Sequence, residues 1–179
     1  AAMMARNMAP GLRRSFSFEE WNWVDDRLIQ EVRTEASKKI NRDLVLDIMG
    51  TDIDARMVEI AKENAQKAGV ASDITFKQMR VQDLRSDKIN GVIISNPPYG
   101  ERLSDDAGVT KLYAEMGEVF APLTTWSKFI LTSDENFEKK FGRPADKKRK
   151  LYNGTLKVDL YQFFGERVRR QSSNEKGSI

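Results

Sequence analysis

Cysteine and histidine are both absent from the 179 residues of this chain. Their absence removes disulfides, thiolate nucleophiles, Cys/His zinc sites, iron–sulfur clusters, Ser-His-Asp triads and every imidazole acid or base. Chemistry here has to run on carboxylates, amides, hydroxyls, Lys/Arg or a bound cofactor, and no metal site is expected. Also lacking are an apolar run of membrane-spanning length, a basic-then-apolar leader and any internal repeat. The expectation is therefore a cytoplasmic chain without membrane contact. Proline is scarce, with five residues, but two of them are adjacent.

What is present reads as a folded globular chain, with 40% hydrophobic and 32% charged residues. The length suits one domain, expected to occupy residues 1–170 and to be followed by a polar, basic, disordered tail over 171–179. The net charge of +3 is unevenly placed. Between Phe137 and Arg170 eleven Lys/Arg stand against four Asp/Glu, a net +7, which leaves −4 for the remainder. A concentrated positive field suits a polyanion, because Lys and Arg contacts to phosphate supply most nonspecific nucleic-acid affinity. A solvated basic hairpin would carry the same residues.

The pattern of elements is α/β. Ala1-Ala2-Met3-Met4-Ala5-Arg6 is a run of helix formers with no cap before it, broken by Pro10-Gly11. Ser17-Phe18-Glu19-Glu20 has the form of a capping box, and Trp21, Val24, Leu28 and Val32 continue as an apolar stripe on a helix running to about Ile40, expected to pack into the core. Leu44 to Met49 reads as a strand closed by Gly50. Asp54 then caps a helix with apolar positions Met57, Ile60, Ala61, Ala65 and Ala68, ended by Gly69. Strands are expected over Ile74–Met79, Gly91–Ser95 and Lys128–Thr132, and a helix from Asp105 or Asp106 carries Leu112, Tyr113, Met116, Val119 and Phe120. Asn153-Gly154 predicts a hairpin turn between Lys148–Tyr152 and Leu156–Tyr161, so an antiparallel hairpin should close a mostly parallel sheet. Unpaired strand edges in such a sheet would offer pairing to a second copy of the chain.

Open α/β sheets bind ligands beyond the carboxyl ends of their strands, which points to Gly50-Thr51-Asp52-Ile53-Asp54 and to Ser95-Asn96-Pro97-Pro98-Tyr99. An acid at the end of a strand can accept hydrogen bonds from both hydroxyls of a ribose, the role assigned to Asp52; a turn or capping residue is its plainer alternative. The Asn-Pro-Pro-Tyr tetrad ends a buried strand with two residues that have no amide proton and a fixed φ. An exocyclic amine on a nucleobase is a poor nucleophile because its lone pair is delocalised into the ring. Two acceptors, the side-chain oxygen of Asn96 and the carbonyl of Pro97, can each take one N–H and aim the lone pair at a methyl sulfonium, with Pro98 stiffening the corner. Tyr99 offers a face for an extruded base, a contact worth roughly 1–3 kcal/mol.

With these residues in view, the chain resembles the S-adenosylmethionine-dependent amino-methyltransferases. It is most similar to the branch that methylates guanine N2 of large-subunit (23S) ribosomal RNA, in which a THUMP RNA-binding domain precedes the catalytic domain. The resemblance rests on Asn96-Pro97-Pro98-Tyr99 and its continuation Gly100-Glu101-Arg102-Leu103. It also rests on the acidic turn with its Ala61-Lys62-Glu63-Asn64-Ala65 helix, on Ala9-Pro10-Gly11-Leu12 and on Lys150-Leu151-Tyr152-Asn153-Gly154. It implies a Rossmann-like class I methyltransferase fold, S-adenosylmethionine as cofactor and RNA as substrate. Asp52, Ile53, Asp83 and Asn96 would form the cofactor site, and Asn96, Pro97, Pro98 and Tyr99 the catalytic corner. Arg102, Lys147, Lys148, Arg149 and Lys150 would meet nucleic acid. Two features depart from the family. The first strand, its glycine-rich loop and the THUMP domain are missing, so the chain resembles an N-terminally truncated member. Arg80 also stands where the family often places an acid near adenine, with Gln82 and Asp83 following. Adenine N6 methylation of DNA or RNA is served by the same tetrad, and a catalytically silent RNA-binding fragment is the reading from another class.

Overall fold

A computed structural model describes residues 1–98 and 106–166. They fall into two compact units, Ala1–Arg80 and the residues from Val81 onward, each treated by itself.

The first unit begins with a single helical turn, α1 (Ala2–Ala5). Ala2 is buried beside Ala65 and Val70, while Met3, Met8, Ile48 and Phe76 pack around them. Helix α2 spans Asp26–Lys38 and is capped by Asp25, whose side chain accepts the Arg27 N–H. The expected capping box is instead a separate 3₁₀ turn, Ser17–Glu20, without a side-chain cap. The expected core stripe is not core either: Trp21, Leu28 and Val32 are each more than half exposed. The reason is that α2 is held by an arginine on its other face. Arg33 donates to the carbonyls of Leu12 (2.8 Å) and Arg14 (2.7 Å) and to Glu19 (2.5 Å), which satisfies three acceptors of the preceding loop at once.

Strand β1 is Ile48–Asp52 and pairs in parallel with β2, Ile74–Gln78. It therefore starts four residues later than hydrophobicity suggests, and Gly50 lies inside it rather than closing it. Gly50 is paired with Phe76, and a Cβ there would collide with the Phe76 ring, so the strand needs a residue without a side chain at that point. Helix α3, Ala55–Ala68, ends as expected on Gly69 in the left-handed conformation (φ 73°). Its inward ridge is Val58, Ala61, Ala65 and Ala68, whereas Met57 and Ile60 face outward.

The second unit contains a four-stranded sheet in the order β3-β4-β6-β5. Its strands are β3 (Val92–Ser95), β4 (Ser127–Thr132), β5 (Lys147–Asn153) and β6 (Leu156–Phe163). β3 and β4 are parallel and joined through helix α4 (Asp106–Phe120), the crossover that parallel strands require. β6 enters antiparallel to β4 and carries β5 outside it, so the predicted hairpin does close the sheet. The turn lies one residue later than expected. Asn153 pairs with Leu156, and Gly154 (φ 63°) opens a two-residue loop with Thr155.

Leu156, Val158 and Leu160 share one face of β6, as their alternation predicts, but the deeper core lies under the other face. There Phe137, on the short helix α5 (Phe137–Phe141), is fully buried. It meets Tyr113 edge-on at 4.9 Å, Tyr161 at 4.7 Å and Phe141 at 5.1 Å between ring centroids. Val109, Met116, Phe120 and Phe163 complete this cluster. Among the described residues no helix is long and apolar enough to cross a membrane. The expected tail, 171–179, lies outside the described residues.

Candidate functional site

Among the described residues, the predicted site residues fall at the carboxyl ends of β1 and β3, in the turn around Asp83 and on the β5–β6 hairpin. Asp52 and Ile53 belong to the first unit, and the others to the second. At the end of β1, Asp52 Oδ1 accepts the Asp54 N–H at 2.8 Å, while the Asp52 carbonyl accepts the Met79 N–H at 2.9 Å. The acid is thus partly a turn residue. Its side chain is exposed, and no described residue engages Oδ2. Ile53 is 62% exposed, and its carbonyl is held by the Gln78 side-chain amide at 3.0 Å. Asp54 caps α3 through the Arg56 N–H, as expected. Hydrogen bonds from Arg56 hold its carboxyl below the usual range, so it is committed to structure.

At the end of β3 the ladder stops at the Ser95–Ile130 pair. Asn96 follows with an exposed side chain that no described residue hydrogen-bonds. Its amide is turned outward and is not consumed by interior scaffolding. Pro97 is buried and Pro98 exposed, so the diproline corner is rooted at its first ring. The Pro98 carbonyl accepts a hydrogen bond from the Tyr113 hydroxyl at 3.2 Å. Periodicity marks Tyr113 only as one more apolar position of α4. The one available signal is a phenol in a row otherwise made of Leu, Met, Val and Phe. Tyr99 and Arg102 lie outside the described residues. Asp83 is exposed in a 3₁₀ turn, Val81–Asp83, which packs through Val81 and Leu84 against the aromatic core.

The basic hairpin divides into engaged and free cations. Lys148 lies over the Tyr161 ring at 4.6 Å and 3.7 Å from Asp159. The Tyr161 phenol and the Asp159 charge raise its pKa. Lys157 is paired with Glu135 at 2.9 Å. Lys147, Arg149 and Lys150 are exposed and have no ion-pair partner among the described residues. Tyr152, opposite Lys157 near the tip, is 69% exposed, an aromatic that charge counting passes over. Among the described residues no group of three or more acidic side chains could hold a metal ion.

Comparison with known proteins adds the following. Residues 1–162 match the family model described as UPF0020, an RMKL-like methyltransferase domain. The chain is 50% identical over 166 residues to "Putative RNA methyltransferase YpsC" of Bacillus subtilis, covering 93% of this chain and 43% of that protein. It is 38% identical over 177 residues to "Ribosomal RNA large subunit methyltransferase K/L" of Shewanella amazonensis, covering 95% of this chain and 25% of that protein. Among solved structures, SMU.472, "a putative methyltransferase complexed with SAH", matches with a TM-score of 0.90 and 62% identity, over 94% of this chain and 45% of that one. The chain thus spans less than half the length of each of these relatives.

Proposed function

Since this chain belongs to the UPF0020 family of RMKL-like methyltransferase domains, we propose that it is the catalytic part of an enzyme that methylates guanine N2 in large-subunit ribosomal RNA. Its fold is the Rossmann-like class I methyltransferase fold, shared with SMU.472. The observation that carries the reading is the corner after β3: an outward, uncommitted Asn96 amide beside a buried Pro97.

The cofactor of this reading is S-adenosylmethionine, which supplies an electrophilic methyl group when bound. The residues present fit its nucleoside half. Asp52 has a carboxylate oxygen that no described residue uses, suited to ribose hydroxyls, and the exposed Ile53 side chain next to it is suited to a flat base. Asp83, exposed and without a hydrogen-bond partner among the described residues, keeps the role toward the adenine amine that the resemblance assigns it. At the corner, the Asn96 side-chain oxygen and the Pro97 carbonyl accept hydrogen bonds from the two N–H groups of the target amine and hold its lone pair out of conjugation. Because the two prolines fix the backbone, these acceptors are set before substrate arrives, and little reorganisation is needed during reaction. Tyr99 provides the stacking face for the extruded base. Lys147, Arg149 and Lys150 position RNA phosphates, with Arg102 assigned to the same role.

The lengths of the relatives support a longer polypeptide, in which residues preceding Ala1 would carry the glycine-rich cofactor loop and a THUMP domain for RNA. The direct test is nucleoside analysis of 23S ribosomal RNA after incubation with labelled S-adenosylmethionine and the polypeptide as encoded. Label in N2-methylguanosine is the expected product. Label in N6-methyladenosine would replace guanine by adenine, and the absence of label in the RNA would defeat the reading.

A further inference from the structure

The corner after β3 is gripped from inside the second unit by a chain of hydroxyls. Two successive prolines leave residues 97 and 98 with no N–H to give, so no ladder bond can hold this segment through a donor of its own. It can be gripped only by its carbonyls, and that requires a donor from elsewhere. Tyr113, on α4 and with no exposed surface, supplies one: its hydroxyl lies 3.2 Å from the Pro98 carbonyl and 2.9 Å from Thr132 Oγ1. Thr132, also fully buried at the end of β4, accepts the Asp134 N–H on Oγ1 at 3.1 Å.

Proton counting fixes the direction of every link. The Pro98 carbonyl has no hydrogen, so Tyr113 must donate to it. A phenol has only one hydrogen, so Thr132 donates to Tyr113 and its lone pair takes the Asp134 N–H. The chain therefore runs one way, from the Asp134 amide through Thr132 and Tyr113 to the corner. Its far end is itself tethered, because Lys140 Nζ sits 2.8 Å from Asp134 Oδ2 and the Tyr161 hydroxyl donates to the Asp134 carbonyl at 3.1 Å. Burial pushes the Tyr113 phenol pKa upward, so the hydroxyl remains a donor at neutral pH. Packing alone does not call for the oxygen, since the edge-on contact with Phe137 would be made equally well by phenylalanine.

We propose that Tyr113, backed by Thr132, is a positioning residue that fixes the Pro98 peptide and thereby the direction in which the corner presents its acceptors. The proposal rests on the methyltransferase reading of the same corner. It explains how a segment without backbone donors keeps one geometry at the edge of a sheet. It also links that geometry to the end of β4 and to α5.

The test compares Tyr113→Phe, Thr132→Val and the conservative Thr132→Ser, alone and as the Tyr113→Phe/Thr132→Val pair, in the polypeptide as encoded. Expected is a fall in kcat of about tenfold to a hundredfold for Tyr113→Phe, the range that small misplacements cost, with KM for S-adenosylmethionine unchanged. Thr132→Val should follow the same direction, Thr132→Ser should restore most of the loss, and the pair should be no slower than Tyr113→Phe alone. A second readout does not depend on turnover: loss of the hydrogen bond should move the Pro98 carbonyl 13C resonance upfield in Tyr113→Phe. Wild-type kcat in Tyr113→Phe, an unmoved Pro98 carbonyl, or losses that multiply in the pair would each overturn the strut while leaving the methyltransferase reading in place. If Tyr113→Phe does not fold, equal kcat for Thr132→Val and Thr132→Ser overturns it instead. A wild-type protein that methylates no RNA defeats the reading on which the strut rests, and is recognised by the absence of label before any variant is made.

Discussion

Arg6 and Asp73 tie the opening turn of the chain to the short turn before β2. The guanidinium makes two hydrogen bonds to the carboxylate, 2.6 Å from Nε and 2.5 Å from Nη2, and the Asp73 side chain is only 4% exposed. Those hydrogen bonds, helped by the Arg6 charge and opposed by desolvation, hold the Asp73 carboxyl below its usual range. A carboxyl depressed in the folded state contributes its full stabilisation above its unfolded pKa of about 4, and loses it as pH falls through the lower folded value. The thermal midpoint should therefore hold steady from neutral pH to about 5 and drop below about 4. Asp73→Asn should lower the midpoint at pH 7, because Arg6 loses its partner, and should flatten the acid limb. A melting series that gave the variant the same acid limb as wild type would place the titration elsewhere. At this scale the residues read differently in sequence. Asp54 is legible as a cap, because an acid immediately ahead of a helix-forming run has few other uses. Asp52 was legible only by position, and half of its carboxylate proves to serve the turn.

At the scale of elements, the strongly periodic segments were the legible ones. Helices α3 and α4, β2, β3 and the β5–β6 hairpin all lie close to where periodicity and turn residues put them. The errors share a cause: local hydrophobicity does not say what an element packs against. Leu28 and Val32 form a stripe, yet α2 is anchored by Arg33, and the stripe is left outside. Leu28→Gln and Val32→Ser should each change unfolding free energy by less than about 0.5 kcal/mol in chemical denaturation, as exposed positions do. A loss of about 2 kcal/mol or more would mean that the stripe is buried. Phe137→Ala should cost about 3–5 kcal/mol, because it empties the centre of the aromatic cluster. On the hairpin, alternation drew attention to Leu156, Val158 and Leu160, whereas the fully packed face carries Asp159, Tyr161 and Phe163. That face is hard to read because Tyr161 and Asp159 are buried while engaging Lys148, a pairing visible only across strands. Replacing Lys147, Arg149 and Lys150 together by alanine should weaken RNA binding and reduce the slope of log affinity against log salt by about 2, given about 0.7 per phosphate contact on a single strand. An unchanged slope would remove the hairpin from the RNA interface.

For the whole molecule, two observations have to be held together. Each unit has its own core and its own sheet, and the chain spans less than half the length of each compared relative. Apolar side chains stand exposed on or beside strands in each unit, Met49 and Ile53 in the first and Val92 and Ile94 in the second, and a dye for apolar patches should detect them in the isolated chain. The proposed chemistry asks for few groups: a carboxylate at the end of β1 in the first unit, and in the second a stiff corner after β3 and cations to hold phosphate. Within this chain there is no histidine or cysteine, so in the proposed reading the corner after β3 carries the mechanistic load. The most direct measurement is the rate of transfer of labelled methyl from S-adenosylmethionine to 23S ribosomal RNA, for wild type and for Asn96→Ala in the polypeptide as encoded. The account predicts a fall in kcat of about a hundredfold to a thousandfold with an unchanged melting midpoint; equal rates for the two proteins would contradict it.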